Sequence, residues 1–228
     1  LVLTLAKLNL DSSTWATIKA NTSFAQSDLS KADLAQADLS NIRLNNSNLD
    51  HSNLSGANLS YADLTETNLR STIFDSANMQ GCIMIRAKLL WTQMIATNLT
   101  SCLFDGARIS NAKIVNSTMD KASLRWTLLE NTLLTGTNLD QGSLYGTGVV
   151  KSNLTGTKIT RVDMRLAEFN SSTFDKTVFD TTQVTIGILD RFERFKNVGF
   201  EMVKSEYEEK KLPVNNGTSA DFFLVKKQ

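Results

Sequence analysis

From Phe24 to Val184 every fifth residue is apolar, without insertion or deletion, which makes thirty-three repeats. Two residues before each of these positions the side chain is usually small: Ala32, Ala37, Ala57, Ala62, Thr67, Ala77, Cys82 and Ala87. Ile42 and Val162 are the bulky departures, and the remaining three positions of each repeat are mostly polar. A five-residue period fits neither the alternation of a strand nor the 3.6-residue turn of a helix. It predicts a short strand joined to a tight corner. One large and one small side chain then face inward, and three face out.

The flanks read differently. Asp11 is placed to cap a short helix carrying Trp15 and Ile18. Ile188, Phe192 and Phe195 recur at i, i+4 and i+7, with charged residues between them, which predicts an amphipathic helix. A second helix is expected from Phe200 to about Lys211, stopping before Pro213. Asn215, Asn216 and Gly217 signal a turn, and Phe222 to Val225 a last strand. Three parts are therefore expected: an N-terminal cap over 1–21, the repeat body over 22–186, and a C-terminal helical cap and tail over 187–228.

Ala32-Asp33-Leu34, Ala37-Asp38-Leu39, Ala57-Asn58-Leu59 and Ala62-Asp63-Leu64 match the motif A-(D/N)-L-x-x. The stretch from 22 to about 186 therefore resembles the pentapeptide-repeat family. That resemblance implies an all-β fold, a right-handed quadrilateral β-helix with short helical caps. Four repeats make one coil, giving about eight coils, so residues 20 apart stack. With strands ~4.8 Å apart the rod is roughly 40 Å long. Stability is then nearly additive along it. The stacked column Asn58, Asn78, Asn98, Asn138 predicts an amide ladder.

Composition narrows the function. Over 228 residues the net charge is +1, with 41% hydrophobic and 21% charged residues. This speaks against a nucleic-acid binder with a large basic field. No apolar run approaches the ~18 residues of a membrane span. Leu1 to Leu10 lacks the pattern of a signal peptide. No membrane association is expected. The cytoplasm is the expected compartment, with a secreted bacterial effector segment as the alternative. A single proline implies corners built without it.

Candidate chemistry is thin. His51, the lone histidine, faces outward without partners. Cys82 and Cys102 are 20 apart and share a column, but both occupy the small inward position and read as buried free thiols. Asp120 and Asp140 also stack. They stand on a convex surface with no water-poor cleft to separate two pKa values, so they read as solvated charges. No catalytic residue, metal site or cofactor is expected.

The function expected is a non-enzymatic protein-interaction scaffold with an unidentified protein partner. The family resemblance adds an alternative, a duplex-DNA mimic that binds type II topoisomerases and protects against quinolones. Residues 21–186 carry 15 acidic and 14 basic residues. The first three coils are acidic, 7 against 3, and the rest basic, 11 against 8, which suits mimicry poorly. The docking surface is expected where large apolar residues collect at outward positions: Ile83, Ile85, Leu90, Trp91, Ile95, Leu103, Val115, Trp126 and Leu128. They should form a one-sided patch anchored by tryptophans. The stripe Ile188, Phe192, Phe195 is expected either to cap the last coil or to pair two chains as a homodimer.

Overall fold

Every twenty residues the backbone returns to the same side of the rod, as parallel bridges from Asp28↔Asn48 to Asp163↔Gln183 record. The computed structural model describes residues 12–214 and 219–228. The expected cap at Asp11, the Trp15 side chain and the Asn215–Gly217 turn lie outside the described residues. The repeat body is a β-solenoid of four sides. Face one is centred on Phe24, Leu44 and onward to Val184, face two on Leu29 to Phe169, face three on Leu34 to Phe174, and face four on Leu39 to Phe179. Every centre is buried.

The corners explain the period. The N–H of Ala32 donates to the Leu29 carbonyl at 3.1 Å, and Lys31 between them has φ 56°. These are the marks of a type II turn, which needs positive φ at its third residue. The same conformation recurs around the rod, at His51, Trp91 and Trp126 among many others. Type II turns favour proline at their second residue. Here that residue often gives its N–H to the preceding Asp or Asn side chain, as Ser30 does to Asp28 at 3.1 Å and Ser60 to Asn58 at 3.2 Å. Proline would forfeit that bond, which accounts for its scarcity.

The small inward position tolerates hydroxyls because the coil below accepts them. Thr67 donates to the Leu44 carbonyl at 2.9 Å, Thr127 to Phe104 at 2.7 Å and Thr182 to Ile159 at 2.7 Å. A buried hydroxyl so paired avoids the desolvation penalty. Ile42 and Val162 are buried without disturbing the pattern.

Paired strands run along three of the four sides. On face two β1 (Lys88–Leu90), β2 (Arg108–Ser110), β3 (Leu128–Glu130), β4 (Gly148–Val150) and β6 (Glu168–Asn170) form a five-stranded parallel sheet. On face four β5 (Lys158–Thr160) pairs with β7 (Val178–Asp180). On face one β8 (Thr182–Val184) pairs with the C-terminal segment.

Both ends of the described structure are dressed. At the N-terminal end α1 (Ser12–Asn21) sends Lys19 to Asp38 at 2.8 Å and to Ser40 at 3.0 Å. At the other end α2 (Ile188–Arg194) lies over the last coil with Ile188 and Phe192 buried. Phe192 packs at 4.9 Å on Phe174, 5.3 Å from Phe169 and 6.1 Å from Phe179. These are the last centres of faces three, two and four. Phe195 is only partly covered, 36% exposed. The N-terminus of α2 has no side-chain cap of its own. Glu209 supplies one from outside, accepting the N–H groups of Gly187 and Leu189, each at 2.9 Å.

The second expected helix is shorter than its sequence suggests. α3 (Phe200–Glu206) gives way to β9 (Tyr207–Val214), which pairs antiparallel with β10 (Ser219–Lys226). The reason is tertiary. Tyr207 is buried against Phe179, and its hydroxyl accepts the Phe179 N–H at 3.2 Å. β10 is held between β9 and β8. Pro213 lies on the outer strand of this three-stranded sheet, an edge position where a missing N–H is tolerated.

Candidate functional site

The predicted inward–outward register holds at all nine residues singled out for docking. None is in the core. Trp91 is 47% and Trp126 60% exposed, and the other seven are half-buried. The expectation of one contiguous patch does not hold. Ile83 bridges Leu103 on face one, with Ile85 beside Ile83 on the same face. Ile95 and Val115 belong to face three. Leu90 and Leu128 lie on face two, and Trp91 and Trp126 stand at its two bordering corners. The cause is the corner at each repeat. Residues five apart occupy adjacent sides, so closeness in sequence separates side chains around the rod.

Face two is therefore the side of the rod bordered by both tryptophan corners, Trp91 leaning on Arg70 of that face and Trp126 on Tyr145 of face one. Their backbone positions are nearly two coils apart, about 8 Å along the axis. Each indole is held. The guanidinium of Arg70 lies 4.6 Å from the centre of the Trp91 ring, a cation–π contact. Trp126 leans over Gly146, where a Cβ would overlap its ring. Tyr145 meets Trp126 edge-on at 5.4 Å, and Arg125 and Arg165 lie 5.4 and 5.6 Å from the Tyr145 ring. Both tryptophans have φ 58°, a region in which a bulky side chain costs about 1–2 kcal/mol.

Between the tryptophans the sheet carries charge that the sequence reading passed over. Lys88 and Arg108 are direct partners in the β1–β2 ladder, and both are exposed. Neither makes an ion pair or side-chain hydrogen bond among the described residues. Arg86, at the same corner column as Trp126, pairs with Glu66 at 3.4 Å. Like residues 20 apart were a signal available in the sequence, because the stacking rule places Lys88 under Arg108.

The remaining candidates resolve individually. Asn58 donates to Asp38 at 3.2 Å, Asn78 to Asn58 at 3.2 Å and Asn98 to Asn78 at 2.9 Å, so these form the expected ladder. Thr118 extends it by donating to Asn98 at 3.2 Å, but Asn138, the fourth amide expected, joins Thr118 only by a backbone bridge among the described residues. Two shorter ladders end on Asp28, through Asn48 and Asn68, and on Asp33, through Asn53. Every amide donates towards the first coil, and each chain ends on a carboxylate, the acceptor-only group. The acidity of the first coils thus has a structural basis.

Cys82 and Cys102 are free and buried. Burial pushes both thiols up, that of Cys102 to about 12, which leaves no thiolate for chemistry. His51 is exposed and 3.8 Å from Asp50. Asp140 is gripped by Arg161, with Nε at 2.9 Å from Oδ1, and accepts from Thr160 at 2.7 Å. The Arg161 hydrogen bonds hold its carboxyl at about 2. Asp120 only accepts the Asp140 backbone N–H, at 3.4 Å. An NMR titration of Asp140 should show ionisation persisting to about pH 2. A depressed carboxyl pKa means that the pair stabilises above the ordinary value of 3.8 and is lost as pH falls through about 2. Among the described residues no group of three or more His, Cys, Asp or Glu could hold a metal, and no helix is long and apolar enough to cross a membrane.

The family model described as "Pentapeptide repeats" matches in eight copies, with segments at residues 20–50, 27–65, 52–89 and 62–100. Among solved structures, HetL is similar over 83% of this chain and 93% of its own, at 20% identity and TM-score 0.44. HetL is a pentapeptide repeat protein involved in heterocyst differentiation regulation from the cyanobacterium Nostoc sp. strain PCC 7120. Full-length QnrB1, a plasmid-mediated fluoroquinolone resistance protein, is similar over 76% of this chain and 99% of its own, at 17% identity and TM-score 0.49. No curated protein matches the chain.

Proposed function

Because this chain belongs to the pentapeptide-repeat family, we propose that it works as a non-enzymatic protein-interaction scaffold that docks its partner on face two. The observation that carries this reading is the pair of exposed tryptophans bordering that face. Both sit at corners whose left-handed backbone penalises a large side chain, so neither is there for the turn's sake. Aromatic anchors ringed by other contacts are the usual centres of binding energy. Leu90 and Leu128 supply apolar ground between them. The pairs Ile83–Leu103 and Ile95–Val115 lie on other faces and are read as separate, weaker surfaces.

A DNA-mimic role has less support. The carboxylates of Asp28, Asp33 and Asp38 are occupied as ladder termini, and the surface that gathers aromatics is basic.

The test is Trp91→Ala with Trp126→Ala. Both side chains are outside the core, so circular dichroism and melting should stay close to wild type. Binding to a partner captured from the native host with the intact chain should weaken by ~2 kcal/mol or more. A folded double variant that captures the same partners with unchanged affinity would remove face two as the docking site.

A further inference from the structure

The Lys88–Arg108 pair stacks two exposed cations directly on one another. Residues paired in adjacent strands stand one strand spacing apart, about 4.8 Å, on one face, and like charges there repel. Some other charges of the rod are answered, while Lys113, Lys121, Lys151 and Lys158 are exposed single cations that stack on no other cation. Asp140 meets Arg161, Asp163 meets Arg165, and Glu66 meets Arg86. Arg70 is laid over the Trp91 ring. Lys88 and Arg108 have neither device. Asn68 lies below Lys88 and Leu128 above Arg108. From Arg86 to Asn111 the outward positions of face two contain Arg86, Lys88 and Arg108 and no carboxylate. Of the acids of this face, Glu66 is paired with Arg86, Glu130 shares β3 with Leu128 and stands above Ser110, and Glu168 lies further along the rod.

Around this stack the apolar groups are laid out in order. Leu90 and Trp91 follow Lys88 along its own coil. Leu128 stands directly above Arg108, and Trp126 opens the same coil as Leu128. A ligand lying here meets two cations at its centre and an indole at each end. Duplex nucleic acid would use the cations but leave both indoles and both leucines wet. A second copy of this chain would need an acidic, unoccupied face, whereas Asp28, Asp33 and Asp38 end ladders and Glu66 is paired with Arg86.

We infer that face two recognises an acidic segment of a partner protein, whose carboxylates neutralise Lys88 and Arg108 while flanking apolar side chains cover Trp91 and Trp126. This rests on the docking role proposed for the same face and specifies the chemistry of the occupant.

Two measurements test it. The first needs no partner. Lys88→Glu alone converts a repulsive stack into an attractive one and should raise the melting temperature. Lys88→Glu with Arg108→Glu restores a like-charge stack and should return it towards wild type. A lower melting point for the single variant would show that the stack is not uncompensated, and the inference falls. The second is a selection of random displayed dodecapeptides on the intact protein. Enriched sequences should combine Asp or Glu with Leu or aromatic residues. The best of them, made synthetically and fluorescently labelled, should bind the Lys88→Glu/Arg108→Glu protein at least tenfold more weakly. Its lysine-for-glutamate counterpart should show the opposite preference. Several results overturn the inference: no enrichment of acidic sequences, equal binding to both proteins, preferred binding of a short DNA duplex, or self-association abolished by the charge reversal. If binding is lost in Trp91→Ala/Trp126→Ala but unchanged in the charge-reversed protein, docking on face two stands and only the acidic occupant is wrong.

Discussion

Phe192→Ala should destabilise the C-terminal end of the rod by about 3–5 kcal/mol, the usual cost of deleting a buried phenylalanine ring. Phe192 touches the last centres of three faces at once, Phe169, Phe174 and Phe179. Its loss leaves a cavity bounded by three rings that are themselves fixed in the last coil and cannot collapse into it. In a solenoid each coil is supported chiefly by its neighbours, so the damage should be local before it is global. Hydrogen exchange should rise first over 160–210, with protection over 40–120 little changed. Phe195→Ala is the matched control, because that ring is partly exposed and surface substitutions away from special features cost little. Equal melting points for Phe192→Ala and wild type would show that the aromatic plug does not hold the end together.

Ending the chain after Ile186 should have a larger effect still, making the rod associate. The segment removed satisfies backbone groups of the last coil. Ser171 N–H donates to Phe195 O at 2.9 Å, Phe174 N–H to Val198 O at 2.8 Å, and Ser172 N–H to Asn197 Oδ1 at 2.9 Å. On face one β10 covers β8, and on face four the Tyr207 hydroxyl accepts the Phe179 N–H. Without these partners the last coil presents open strand edges on all four sides around exposed phenylalanines, a template for pairing with another chain. Light scattering of the shortened protein should report aggregates or end-to-end association, and the full chain should not associate through this end. Ile188 and Phe192 are buried locally, which leaves Phe195 as the stripe residue still partly exposed. A shortened protein as monomeric and soluble as the full chain would show that residues after 186 are not a cap.

The smaller expected effects elsewhere follow from the same geometry. Trp91 and Trp126 can be cut back without harm to the fold because the corner, not the core, holds them. Asp140 stays ionised far below its ordinary range because Arg161 reaches it from one coil further on.

The five-residue period by itself determined the body of this protein. A run of thirty-three repeats without a slip leaves one register in which large and small apolar residues meet inside, and that register correctly turned Trp91 and Trp126 outward and buried Cys82 and Cys102. The amide ladder on Asp38 was legible for the same reason, since stacking follows directly from repeat length. Tertiary structure decided what the period does not reach. Residues 207–211 carry local helical preference, yet they form a strand because Tyr207 is buried on Phe179 and β10 offers a ladder of backbone bonds. Phe192 reads only as one position of an apolar stripe until the ends of three faces close around it. The nine outward apolar residues look like one cluster along the chain, but a corner at every fifth residue distributes them over three faces. What gathers on face two was fixed by position around the rod: two tryptophans at its corners and, between them, two stacked cations whose repulsion exists only because a full coil brings them together.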